Sequence, residues 1–402
     1  MAPLNPPSRA SRRWGNGLFL AVVLVCLLQA KKAIDFIGYW RVVGASVASG
    51  FHLIPYPTGG SATQGDYFQS PVTTFLLVPW SIPPEPAAKF LWALTSLLLI
   101  AWLLRVWVRE PLGLPQVFFL VLLFAHGLSD VFLSGNINFP LLALLVVGWN
   151  LMDRPSALAR TVGATCLAVA VYVKVFPLIF LGFFVLTAQW RKAGYVVGAL
   201  IALPVLTWIA LPSGTFLPWW QGWLHALGLY GVATGGPERV SYQSPPAAIF
   251  RFLGLLTDLP RARLLLVMNF AALAITGAIF LQAVRLWRRG DAARPWVFPM
   301  LLSTFFLGGP YSWALTTLFC FPLVLLAVRS GISRLAWATA IVLALIPKEI
   351  WPKDTWNVIA YWSLPAICLA ILIGDALVRS AIDASPKGSP LPDGLILEES
   401  RS

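Results

Sequence analysis

The chain has 402 residues, 58% of them hydrophobic and only 11% charged, with a formal net charge of +13. A soluble domain carries about 25% charged residues, so this balance excludes an ordinary soluble globular fold and implies an all-α polytopic membrane protein. The basic excess does not make a nucleic-acid surface: most of it lies in short loops between apolar runs, where it sets membrane orientation, and no contiguous basic soluble domain is present.

Residues 1–14 read as a cytoplasmic tail carrying Arg9, Arg12 and Arg13. The short apolar stretch that follows resembles a signal peptide. It ends in Leu28-Gln29-Ala30-Lys31 without a small-x-small cleavage site, so an uncleaved first helix is expected. A first long outer loop covers residues 31–86. Within it, "SPVTTFLLVPWSIPPEP" (70–86) holds an apolar run too short to span. Were it to cross, "RVWVREP", "MDRPSALAR", "WRKAG" and "RLWRRGDAARP" would all turn outward, against the positive-inside rule. It is therefore expected as an interfacial helix on the outer face.

Further spans are expected at 87–108, 115–133, 138–152, 160–173, 176–189, 194–212, 262–286, 295–309, 313–329, 333–348 and 356–378, about twelve with the first. The break at Lys174–Pro177 is open to a second reading, as a kink in one long helix. A second outer loop, 213–261, begins with "SGTFLPWWQGWLHALGLYG". Its Trp219, Trp220 and Trp223 fit either an interfacial aromatic belt or a stacking surface for sugar or lipid. Residues 15–379 thus form one transmembrane domain with both termini cytoplasmic, and 380–402 a disordered tail.

With this topology the unusual polar residues collect on the outer side: Asp35, Asp66, "DVFLSGNIN" (130–138), "YVKVFP" (172–177), "GGPERVSYQSPPAAIFR" (235–251), "GGPYSW" (308–313) and "PKEIWPKD" (347–354). Asp35 follows Lys31 and Lys32 just past a helix end. It fits a lysine-paired loop carboxylate, or a general base at the membrane boundary tuned by apolar surface and cations. Asp130 lies near the end of an apolar helix, where a carboxylate is a functional candidate by default. Lys174 either snorkels to headgroups or binds a phosphate at membrane depth, with Arg239, Arg251, Lys348 and Lys353 as further cations. No acid pair accompanies Asp35, and His52, His126 and His225 are scattered. Cys26, Cys166, Cys320 and Cys368 lie singly in apolar runs, so neither a metal site, a cofactor nor a disulfide framework is expected.

Six segments, in order over residues 15–330, resemble glycosyltransferase family 87, the polyprenyl-phosphate-dependent mannosyltransferases of the GT-C superfamily. They are "DFIGYW" (35–40), "YFQSPVTTFLLVPWSIPP" (67–84), "SGNINFPLLALLVVGW" (134–149), "AVAVYVKVFPLIFLGFF" (168–184), "SYQSPPAAIFRFL" (241–253) and "GGPYSWALTT" (308–317). The Lys-x-Phe-Pro stretch is the most specific match, and Asn136 stands where the family usually has Gln.

The resemblance implies a GT-C-type fold and an inverting transfer of a hexose, mannose in most of the family. The donor would be a polyprenyl-phosphate sugar and the acceptor a glycolipid or glycan on the outer face of the cell membrane. It carries a single catalytic base to Asp35 and donor contacts to Lys174 and Gln243, with Arg251 and Trp313 beside them. Asp66, Asp130, Asn136, Asn138, Arg239, Tyr242, Ser244 and Tyr311 complete the candidate substrate set, and membrane lipids are the remaining partner. The histidine expected two residues after Trp313 is Leu315, which keeps open a non-catalytic, polyprenyl-lipid-binding relative. A transporter is the other rival, but no two similar halves with matching broken helices are visible.

Overall fold

The computed structural model describes residues 9–30, 32–53, 69–108, 112–233, 244–291, 293–309 and 314–329, with isolated positions 56, 237, 336, 338, 339 and 374. Among these residues the fold is all-helical, without strands: α1 (Arg9–Gln29), α2 (Ile34–Ala48), α3 (Pro71–Ser81), α4 (Glu85–Trp107), α5 (Leu114–Ser134), α6 (Asn138–Met152), α7 (Ala157–Val173), α8 (Leu178–Leu186), α9 (Trp190–Ala210), α10 (Phe216–Ala233), α11 (Pro245–Leu256), α12 (Arg261–Arg288), α13 (Val297–Leu307) and α14 (Phe321–Arg329). Short 3₁₀ turns precede α13 (Arg294–Trp296) and α14 (Ala314–Cys320).

Among the described residues three helices, α4, α9 and α12, are long and apolar enough to cross a membrane. α5 makes a fourth if its two segments, bent by 51° between Phe124 and Gly127, form one span. These correspond to the expected spans 87–108, 115–133, 194–212 and 262–286. The expected span 176–189 is realised as the nine-residue α8, which at 1.5 Å per residue is roughly 14 Å long, against a hydrocarbon layer of about 30 Å. Of the two readings of Lys174–Pro177, the structure gives a full break: Lys174 is extended (φ −149°, ψ 130°), and α8 starts only after Pro177. The first outer loop carries two helices. α3 lies where the short apolar run predicted one, and α2 begins one residue before Asp35. Residues 333–348 and 356–378 lie almost wholly outside the described residues.

The chain divides into two compact units. One holds residues 29–103 and 131–236, with α2, α3, most of α4, the end of α5 and α6 to α10. Its best-packed pair is α6 against α7. A Cβ on Gly148 would stand 3.0 Å from the Gly163 carbonyl oxygen, and one on Gly163 would stand 3.0 Å from that of Gly148. Two facing glycines therefore let the backbones touch, the small-residue packing typical of membrane helices. Trp149 fills the space beside this contact, against Phe180, Phe183 and Phe184 of α8. Capping fixes the helix starts: Ser70 accepts from Thr73 N–H ahead of Pro71 at the first helical position, and Ser156 accepts from Ala159 N–H.

The other unit holds residues 1–28, 104–130 and 237–402. Ser11 at the start of α1 accepts from the Leu114 N–H at 2.8 Å and so caps α5. Phe250, Leu264 and Met268 join α11 to α12. Every residue of α13 is buried, and its Phe305 stacks on Phe319 with centroids 4.9 Å apart.

Candidate functional site

Asp35 is the second residue of α2, in the positively polarised first turn where a carboxylate is favoured. The chain enters this helix through Ala33, held at φ 38° with no side-chain cap. What meets the carboxylate is the turn between α5 and α6. Gly135 in that turn has φ +65°, and a Cβ there would stand 2.7 Å from Cβ of Phe36. Only glycine satisfies both the left-handed backbone and this close approach. Trp92 of α4 locks the contact: its Nε1 donates to the Gly135 carbonyl at 2.8 Å, and its ring stacks on Phe36 with centroids 5.0 Å apart.

The next residue, Asn136, then donates from Nδ2 to Asp35 Oδ2 at 2.8 Å. Its Oδ1 is buried without a hydrogen-bond partner among the described residues. Two positions on, Asn138 opens α6, 1% exposed, and its Oδ1 accepts from Lys174 Nζ at 2.7 Å. Lys174 is held in place from the preceding turn. The Tyr172 carbonyl accepts from Thr73 Oγ1 at 3.0 Å, and the Tyr172 hydroxyl donates to the Leu200 carbonyl. One Asn-Ile-Asn turn thus grips a carboxylate with its first asparagine and an ammonium with its second.

The two charges act on each other without a direct ion pair among the described residues. Burial pushes the Asp35 carboxyl above the ordinary carboxylate range, while the Asn136 hydrogen bond and the positive Lys174 pull the other way. Burial pushes Lys174 down to about 8, and the negative Asp35 opposes this. Such a pair can hold a carboxylate more basic than an ordinary one beside a cation with donors to spare. An ammonium has three N–H donors, and Asn138 occupies one.

The remaining candidates are placed less completely. Asp130 is half-buried one turn before the end of α5. Arg251 on α11 is 2% exposed and donates from Nη1 to the Pro237 carbonyl at 2.9 Å. Ser244 is fully buried at the start of α11, where its side chain makes no capping bond. Asp66, Arg239, Tyr242, Gln243, Tyr311 and Trp313 lie outside the described residues, as do Lys348, Lys353 and the side chain of Leu315. Among the described residues no cluster of three or more His, Cys, Asp or Glu is placed to hold a metal ion.

Two of the three tryptophans of the second loop, Trp219 and Trp223, follow neither expected reading, while Trp220 is half-buried. Trp219 is fully buried against Phe51 and Tyr56, and Trp223 is buried against Tyr172. They pack α10 onto the unit that contains Asp35, and so are neither a membrane belt nor a free stacking face. Sequence reasoning also missed Gly135, Trp92 and Thr73. Of these only Gly135 carried a signal, a glycine beside asparagine between two apolar runs.

Helices long and apolar enough to cross a membrane, with a buried acid and lysine bridged by one Asn-Ile-Asn turn, define among the described residues an integral membrane protein with a candidate active site. The chain matches the family model described as glycosyltransferase family 87 over residues 67–310, more than half its length. It belongs to glycosyltransferase family 87, and its activity is that of a glycosyltransferase with a sugar donor and an acceptor as substrates. The match takes in Asn136, Asn138, Lys174, Gln243 and Arg251, while Asp35 lies ahead of it and Trp313 beyond it. No curated protein and no solved structure shows a match to the chain.

Proposed function

We propose that this membrane glycosyltransferase transfers a hexose, with mannose the family's usual sugar, from a polyprenyl-phosphate donor to a glycolipid or glycan acceptor. Transfer occurs with inversion on the outer face of the cell membrane. About twelve spans with both termini cytoplasmic, in a GT-C-type arrangement, belong to the same reading. The observation that carries it is the pairing of Asp35 and Lys174 through Asn136 and Asn138.

Inverting transfer needs one base for the acceptor hydroxyl and cationic donors for the departing phosphate. It does not need the two carboxylates of a glycosidase. In this mechanism Asp35 Oδ1 takes the proton as the hydroxyl oxygen attacks the anomeric carbon. The bond from that carbon to the phosphate oxygen breaks, and Lys174 holds the phosphate as its charge develops. Asn136 and Asn138 act as positioning residues: the first keeps Asp35 oriented and ionised, the second aims the ammonium. Gln243, Arg251 and Trp313 are assigned to donor binding on the family resemblance. Asp66, Asp130, Arg239, Tyr242, Ser244 and Tyr311 are assigned to substrate binding.

The test is transfer by the purified full chain in lipid nanodiscs, with a panel of labelled polyprenyl-phosphate sugars and membrane glycolipid extracts as acceptor. One donor is expected to be used. Lys174→Ala is expected to weaken donor affinity and lower kcat/KM by about 10²–10³-fold. Unchanged donor affinity in Lys174→Ala would remove the phosphate assignment. Donor binding without turnover by the wild type would instead favour the non-catalytic relative and make Leu315 the residue to explain.

A further inference from the structure

Outside the site, one feature has neither a structural nor a catalytic use: a groove of about 620 Å³ between the first turns of α7 and the N-terminal half of α9. Its volume falls in the range of ordinary ligand sites, about 300–1,000 Å³. No acid lines it, while Arg160 and Arg191 do. Arg160 uses Nε on the Arg154 carbonyl at 2.9 Å, which leaves its terminal nitrogens. Arg191 and the hydroxyl of Tyr195 have no partner among the described residues. The acid at the end of α6, Asp153, is already paired with Lys192. The groove's polar end is therefore a cationic pair without a counter-ion.

Gly194, Gly198 and Ala202, one turn apart on α9, also line the groove. A Cβ at either glycine would meet nothing within 4 Å. Glycine inside a helix costs about 1 kcal/mol relative to alanine. Gly148 and Gly163 offset that cost by helix contact, whereas Gly194 and Gly198 have no neighbour that needs them. They leave a strip of α9 without side chains beside the arginines. α9 is one of the membrane-crossing helices, and only 17% of its apolar window is buried in protein. Trp190 at its start is 64% exposed, as befits a residue at headgroup level. If α9 crosses the membrane with Trp190 at headgroup level, Arg160 and Arg191 stand at the depth of lipid phosphates and Gly198 and Ala202 farther in.

We propose that this groove binds one anionic phospholipid, with its phosphate on Arg160, Arg191 and Tyr195 and an acyl chain along Gly194, Gly198 and Ala202. Arginine forks match phosphate oxygens, and an anionic headgroup supplies the charge that no acid in the groove provides. Arginines at helix ends also attract anionic lipid without a site, and the test separates the two cases.

The delipidated full chain in detergent is titrated with phosphatidylglycerol or phosphatidylcholine, and bound lipid is counted by native mass spectrometry. One phosphatidylglycerol is expected to bind about tenfold or more tighter than phosphatidylcholine. Replacing both arginines (Arg160→Gln with Arg191→Gln) should abolish that preference. Removing two charges elsewhere (Arg285→Gln with Arg288→Gln at the end of α12) should leave it intact. Gly198→Leu, which fills open space, should weaken binding while thermal stability is kept. Equal binding of the two lipids, equal loss in both arginine pairs, or full binding by Gly198→Leu would overturn the proposal. Preferential binding of polyprenyl phosphate, displacing phosphatidylglycerol, would overturn it in favour of a donor-lipid groove. All these readouts are independent of sugar transfer, so they stand or fall apart from the catalytic reading.

Discussion

Asp35 and Lys174 were visible in the sequence as charges at the ends of apolar runs; their partnership was not. Asn136 lies 101 residues from Asp35, and Asn138 lies 36 from Lys174. No periodicity links positions so far apart, so the two asparagines read only as candidate substrate contacts. Their contacts carry a pH signature. Asp35 must be ionised to act as base, so kcat/KM rises with pH through a carboxylate pKa lying above the ordinary range. Lys174 must be protonated to hold phosphate, so kcat/KM falls as pH rises through about 8. The profile is a bell whose limbs belong to the coupled pair. On kcat the basic limb moves to higher pH, because a bound phosphate favours the ammonium. Asn136→Leu removes a hydrogen bond that lowers the Asp35 pKa, so its acid limb is expected to shift upward relative to wild type. An unmoved acid limb would show that another group controls it.

At the scale of elements, hydrophobic pattern and length found the long helices well, since α4, α9 and α12 need only an uninterrupted apolar run. Pattern failed where tertiary contact sets the ends. α8 starts only after the extended break at Lys174 and so is left with nine residues, and α2 forms inside what reads as a loop. Nor did apolar content show that Trp219 and Trp223 face protein rather than lipid, since both environments suit a tryptophan. The α5–α6 turn is the element on which the site depends, and Gly135 is its weak point. Gly135→Ala forces a left-handed alanine and a Cβ contact at 2.7 Å. It is expected to destabilise by about 1–3 kcal/mol, read as a lower midpoint in thermal unfolding. Transfer activity should fall further than stability, because Asn136 and Asn138 move with the turn. A Gly135→Ala protein of wild-type stability and activity would mean that the turn is not a constraint on the site.

At the scale of the whole molecule, composition alone separated a polytopic membrane protein from every soluble class. The family followed from six short segments whose order, rather than any single match, carried the resemblance. The orientation rests on the positive-inside rule. Position 213, exposed between α9 and α10, reports on it. A cysteine introduced by Ser213→Cys is expected to react with a membrane-impermeant maleimide in intact cells. Labelling only after the membrane is opened would invert the topology and put Asp35 on the cytoplasmic side.

The whole mechanism turns on Asp35 as the base, and exchanging its carboxylate for an amide isolates that role. Asp35→Asn keeps the shape and the hydrogen-bonding capacity beside Asn136 while removing the charge. In nanodiscs, with the donor the wild type uses, transfer is expected to drop by about 10²–10⁴-fold, with folding and donor binding retained. Transfer at the wild-type rate by folded Asp35→Asn would rule out Asp35 as the base and leave Asp66 and Asp130 as the candidates.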